Sequence, residues 1–209
     1  MPFVGTLVNA LAVLVGSLVG WKVGGALPST LKGNLQRLLG VITVGLAVSM
    51  LGEGALLEGA ATLVVGFFLG HILGLERRAR RWASHGGVIA AVVLFCTGPM
   101  TVLGSIKDAF GEPDILLVKS MLDGTVSVLF ASIFGLRVAL AALLLLLIQG
   151  GMETLALLLG GLNIPMNILN ATGGLILLLI GLNLLELMDF PTADTLPSLL
   201  LVPLWSLFS

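Results

Sequence analysis

The sequence predicts an all-α protein built into a lipid bilayer, a polytopic bundle of eight transmembrane helices, or of seven if one central segment folds back on itself. Three observations carry this expectation. Apolar residues make up 57% of the 209 and charged residues only 10%, against roughly half and a quarter in soluble domains. With 10 Lys and Arg and 11 Asp and Glu, the chain cannot clothe a water-exposed surface, which is normally about 25–35% charged. The apolar residues also fall in runs near twenty residues long, the length a helix needs to cross the hydrocarbon; mean hydropathy is +1.15. A net charge of −1 and a pI near 6.1 leave no basic stripe, so nucleic acid is not an expected partner. A single cysteine, Cys96, excludes an internal disulfide and multi-thiolate zinc. No cofactor is expected; the lipid bilayer is.

Taken in order, the spans fall near residues 3–25, 35–52, 57–75, 87–106, 115–136, 138–160, 165–188 and 196–208. The first lacks a basic n-region and runs apolar too far before Lys22 for a cleaved signal, so it reads as a membrane helix. Pro28 to Arg37 is an N-capped polar turn at the headgroups that runs on into the second span. Arg77, Arg78, Arg80 and Arg81, followed by Trp82, form the cytoplasmic anchor expected from the positive-inside bias. That anchor puts Lys22, Lys32 and Arg37 inside, Glu53 and Glu58 outside, and the N-terminus outside a bacterial cytoplasmic (inner) membrane. Past Arg137 there is no Lys or Arg, so the topology of the last third depends on counting spans. Eight spans place the C-terminus outside as well.

Sliding the chain by 136 residues aligns Gly24-Gly25 with Gly160-Gly161, Asn34 with Asn170, Gly45 with Gly181, Glu53 with Asp189, Glu58 with Asp194 and Thr62 with Ser198. Either this is the shared rhythm of Leu-rich hairpins, or residues 1–75 and 137–209 are copies flanking a central polar hairpin, 87–136. With five spans before the sixth, the copies run in opposite directions. Such an inverted repeat is how many secondary transporters build two access states around one site. If 87–106 is re-entrant, the copies are parallel instead.

The central hairpin carries most of the polar chemistry. Gly98-Pro99 lies inside the apolar run with Thr97 and Thr101 beside it; proline removes a donor and disfavours helix before it, so the helix should kink or break there. Freed backbone groups at membrane depth must meet protein or a wet cavity. Downstream, Lys119, Asp123 and Ser127 stand four apart on one helix face, with Ser120 and Thr125 on its flanks. A lysine and an aspartate within a membrane helix are costly unless paired or hydrated. They form either a structural salt bridge or a polar face lining a path. Lys107, Asp108, Glu112 and Asp114 read as a solvated turn. Asn9 lies mid-way along the first helix, and Asn163, Asn167 and Asn170 make a stripe on the seventh; such amides serve as interhelical glue or, converging on Asp123, suit a neutral or cationic solute. His71 and His85 have no spacing to a second ligand, so no metal is assigned.

Gly16, Gly20 and Gly24 in the first helix, and Gly66, Gly70 and Gly74 in the third, recur every four residues and allow close helix contact, either within one subunit or across a homodimer.

The runs from Gly98 to Asp108 and from Leu117 to Gly124, with the opening Gly5-Thr6-Leu7-Val8-Asn9, resemble the YqgA-like family of bacterial inner-membrane proteins, catalogued as domain of unknown function 554. The resemblance covers essentially the whole chain. It implies a compact polytopic helical protein and supplies no catalytic residues.

The functional expectation is therefore a transporter of an ion or small polar solute, its site near mid-membrane between the fourth and fifth spans. The competing reading is a non-transporting structural or interaction protein. An enzyme is not expected: no HExxH, no Ser-His-Asp set and no thiol with a nearby base is present.

Overall fold

The computed structural model describes residues 1–82, 87–96, 99–159 and 165–203. Ten α-helices follow in order among these residues: α1 Val4–Gly24, α2 Ser29–Gly52, α3 Leu56–Leu73, α4 Leu75–Trp82, α5 Gly87–Cys96, α6 Pro99–Ala109, α7 Asp114–Phe134, α8 Leu140–Leu159, α9 Met166–Leu184 and α10 Leu196–Leu201. Short 3₁₀ turns, Leu136–Ala139 and Thr192–Thr195, precede α8 and α10. No strand occurs among the described residues. The all-α membrane fold is thus observed.

Six helices are long and apolar enough to cross a bilayer, and the count reaches seven if α5 and α6 form one span. Of the expected eighth span, α10 covers only Leu196–Leu201, and residues 204–209 lie outside the described residues. The polar turn and second span are a single helix, α2, because Ser29 to Arg37 continues the helix without a breaker.

The chain divides into two compact units. The first comprises Met1–Leu35 and Gly98–Leu162; the second comprises Gln36–Thr97 and Asn163–Ser209.

In the first unit α1 lies directly on α7, and small residues make this possible. A Cβ on Gly16 would stand 2.3 Å from the carbonyl oxygen of Gly124, one on Gly20 2.1 Å from that of Val128, and one on Gly24 2.5 Å from that of Ser132. Partners rise together in number, so α1 and α7 are parallel. Against α8 the order reverses: Thr6 meets Glu153 and Asn9 meets Gln149, so α1 and α8 are antiparallel.

The second unit uses the same device. A Cβ on Gly66 would lie 2.3 Å from the backbone nitrogen of Ser198, and one on Gly70 2.0 Å from the carbonyl oxygen of Asp194, which makes α3 antiparallel to α10 and its preceding turn. Gly40 faces Gly181, and Ala47 faces Gly174, so α2 and α9 are antiparallel as well. The glycine stripes therefore pack within one chain. Gly74 has a different role: at φ 62° it ends α3 in the left-handed conformation that caps helices.

Candidate functional site

The first unit has an apolar exterior and an interior in which a polar cluster lies among buried Val13, Leu116, Phe130 and Leu145. Leu7, Leu11, Val15, Val118, Met121, Leu122, Leu143 and Leu147 point outward. Inward, α1 presents Thr6, Asn9 and Ser17; α6 presents Thr101, Ser105 and Asp108; α7 presents Lys119, Ser120, Asp123 and Ser127; α8 presents Gln149 and Glu153, all buried. The spacing explains the convergence. Thr101, Ser105 and Asp108 follow at i, i+4 and i+7, and Gln149 and Glu153 at i and i+4, so each helix offers one polar stripe to the others.

Lys119 Nζ donates to Asp123 Oδ2, and Asn9 Nδ2 donates to the same oxygen at 3.0 Å. The Asn9 amide also donates to Gln149 Oε1 at 3.4 Å. One turn earlier, the backbone N–H of Thr6 donates to Asp108 Oδ2 at 3.0 Å, and its hydroxyl donates to Glu153 Oε1. Asp108 and Glu153 thus meet at one threonine, and their side chains lie within hydrogen-bonding reach of each other. Six buried polar atoms here have no hydrogen-bond partner among the described residues: Asn9 Oδ1, Ser17 Oγ, Ser105 Oγ, Asp108 Oδ1, Gln149 Nε2 and Glu153 Oε2. Native interiors leave few such atoms, and each unsatisfied group normally costs about 1–3 kcal/mol. A core that gathers six can hold a ligand of complementary polarity.

The sequence expectations fare unevenly at this core. Asn9, Lys119 and Asp123 are joined in it by hydrogen bonds, and Thr101 and Ser127 are buried in the same unit. The hydroxyl of Ser127 is taken by the carbonyl of Gly124 at 2.7 Å, and that of Ser120 by Leu117 at 2.6 Å, so neither is free to donate into the core. Pro99 opens α6, where its missing N–H costs nothing. Thr97, Gly98 and Asn163 lie outside the described residues. Asn167, in the second unit, is exposed; Asn170 is buried, its Oδ1 without a partner among the described residues.

Asp108 corrects the reading of its segment as a solvated turn: it is fully buried. Only its neighbours behave as expected, Lys107 and Glu112 pairing at 3.2 Å near the surface. The physical reason is helical phase. Asp108 is still within α6, about 100° around from Lys107, and shares the face of Ser105. Gln149 and Glu153 were not singled out in the sequence, although a glutamate inside an apolar span is itself a functional signal.

In the second unit the charged groups that pair are at one end, while Thr43, Thr62, Asn170 and Thr172 are buried elsewhere along it. Asp194 Oδ1 accepts the backbone N–H of Glu76 at 2.8 Å, Glu76 Oε2 accepts that of Ala193 at 2.9 Å, and His71 Nδ1 stands 3.2 Å from Asp194 Oδ2. This reciprocal clasp ties the turn before α10 to the arginine-bearing α4. Between its ends, α9 buries Ile176, Leu177, Ile180 and Leu184.

The family model described as "Protein of unknown function (DUF554)" matches residues 4–207. The "Uncharacterized membrane protein YdfK" of Bacillus subtilis (strain 168) is 32% identical over 95% of this chain and 93% of its own length. The "Uncharacterized protein YqgA" of Escherichia coli (strain K12) is 31% identical over 95% and 94%. No solved structure matches.

Proposed function

The chain belongs to the DUF554 family of membrane proteins, and from that premise we propose that it is a transporter of an ion or small polar solute whose site is the polar core formed by α1, α6, α7 and α8. The observation that carries this reading is the gathering of three carboxylates, a lysine and unpartnered amide and hydroxyl groups inside an otherwise apolar unit. Charged groups at membrane depth are expensive and mark substrate or ion pathways.

Two further observations support it. The helices paired by a shift of 136 residues are α1 with α8, α2 with α9, and α3 with α10, and each pair packs antiparallel. This is the relation an inverted-topology repeat requires. The parallel alignment of α1 and α7 also bears on residues 87–109. With α2 and α3 each crossing once, α7 can start on the same membrane face as α1 only if α5 and α6 together cross once. That favours a broken span over a re-entrant loop. The clasp of Asp194 on Glu76 supports a turn before α10 on the same side as the arginines, the side that the positive-inside bias favours for the cytoplasm. The N-terminus is then outside, in the inner membrane of a bacterial cell.

The alternative is a structural or interaction protein. It is favoured by the Lys119–Asp123 pair, which compensates its own charge, and by the hydroxyls bonded within α7. Proteoliposomes on a solid-supported membrane, challenged with rapid jumps of cations, anions, amino acids and sugars, separate the two. Transport predicts a solute-dependent current that the folded Lys119→Met/Asp123→Asn double variant loses. No current from any solute in the panel favours the structural role.

A further inference from the structure

We propose that the polar core binds a monovalent alkali cation between Asp108 and Glu153, with Ser105 and Asn9 contributing neutral oxygens. This deepens the transport reading, on which it rests, by naming the ligand.

The argument starts from charge. The ionisable side chains facing the core are Asp108 from α6, Lys119 and Asp123 from α7, and Glu153 from α8. Lys119 is paired with Asp123. Lys107 turns away to Glu112, and Met1 at the head of α1 is exposed. Asp108 and Glu153 therefore lie side by side with no cationic partner among the described residues; the amide and hydroxyl of Thr6 donate to them, and the backbone of Phe3 adds to Glu153, but all these groups are neutral. Removing a charge from water without a counter-charge is costly. A proton shared by the pair relieves one charge, and a cation would relieve the other.

The donor set narrows the class. Ser105 lies one turn before Asp108 on the same face, fully buried, its hydroxyl without a partner among the described residues. The Asn9 amide is held by its nitrogen to Asp123 and Gln149, which leaves its oxygen unpartnered among the described residues. These two and the unpartnered oxygens of the carboxylates, Asp108 Oδ1 and Glu153 Oε2, are all hard donors. No group of three His, Cys, Asp or Glu suited to a metal ion occurs among the described residues, which disfavours a transition metal. Ca²⁺ takes about 6–8 oxygens and Mg²⁺ sheds its water reluctantly, so four oxygens on interlocked helices suit neither. One alkali ion together with one proton on the carboxyl pair leaves the site neutral, so Na⁺ and protons should compete.

The test uses the full-length protein in lipid nanodiscs and Na⁺ as the probe. Dicyclohexylcarbodiimide adds to protonated carboxyl groups in apolar surroundings, and mass spectrometry of the peptides locates the adduct. At constant ionic strength, replacing choline chloride by NaCl should slow labelling of Asp108 or Glu153 at least fivefold, saturably, and more weakly as pH falls. Ser105→Ala should raise the half-protecting Na⁺ concentration several-fold, and Glu153→Gln should abolish protection at Asp108. The wild-type comparison decides the matter even if Glu153→Gln does not fold. Equal labelling in the two salts overturns the cation site, as does protection by Ca²⁺ or Mg²⁺ at lower concentration than Na⁺. If labelling is equal but another solute gives a current in liposomes, the cation assignment alone falls; if no solute does, the transport reading falls with it.

Discussion

The two units solve one problem, holding helices together where lipid offers no hydrophobic drive, in opposite ways. Both bring backbones into contact through glycine, α1 on α7 in the first and α3 on α10 in the second. The first then buries Asn9, Asp108, Lys119, Asp123, Gln149 and Glu153 in its interior among apolar side chains such as Leu116, Phe130 and Leu145. The second fills its own with Val93, Phe95, Ile176, Leu177 and Ile180, and keeps Asp194, Glu76 and His71 at one end. Glycine contact with an apolar interior and charges confined to one end is enough to pack a unit, as the second shows. The polar residues of the first are therefore in excess of what packing needs, and an excess of costly groups points to function.

The largest effects should come from the shared device. Gly20→Leu and Gly70→Leu each force side-chain carbon onto a backbone carbonyl, 2.1 Å and 2.0 Å from the Cβ position. Each should exceed the roughly 1–3 kcal/mol usual for overpacking and abolish a monodisperse peak on size-exclusion chromatography. Tolerance of either would mean that unit is not held by backbone contact.

Next come the charges peculiar to the first unit. Lys119→Met and Asp123→Asn should each cost about 3–5 kcal/mol by leaving a buried charge uncompensated, read as a lower unfolding midpoint in detergent. The double variant should recover most of that loss. If each single variant is as stable as wild type, the pair is not buried.

Smaller losses follow from exchanging the interiors. Asn9→Leu removes donors from Asp123 and Gln149 and should cost about 1–3 kcal/mol. Ile176→Asn places an unpaired amide in the apolar interior and should cost about as much or more. Smallest of all, Ser127→Ala and Thr43→Val should each stay within about 0.5 kcal/mol, since each hydroxyl bonds a carbonyl of its own helix, at 2.7 Å and 2.8 Å. A large effect at Ser127 would mean its hydroxyl serves the core instead.

Helix positions were largely legible in the sequence. The expected spans 3–25, 57–75, 115–136 and 138–160 differ from α1, α3, α7 and α8 by a few residues, because Gly, Pro and charge punctuate long apolar runs. The Lys119/Asp123 face was legible too, since two charges four apart in an apolar helix are conspicuous. Asp108 was not. It lies among Lys107, Glu112 and Asp114, and only the phase of α6 against α1 and α8 separates it from them. Glu153 hid for another reason: its partners, Thr6 and Asp108, are far away in the chain and neither carries a complementary charge. A hydrogen-bonded network of neutral and like-charged groups leaves no pattern in a single sequence.

The most direct measurement asks whether water reaches the polar core. Because Cys96 is the sole cysteine, a Cys96→Ser background can carry one new thiol at a time, Ser105→Cys in the first unit or Ile176→Cys in the second, both positions being fully buried. A carrier must open its site to solvent in the course of transport, whereas packing residues stay dry. The prediction is that a membrane-impermeant methanethiosulfonate modifies the thiol at 105 in intact membranes and leaves that at 176 untouched. Equal protection of both thiols would contradict it, and would make the polar core of the first unit a means of packing after all.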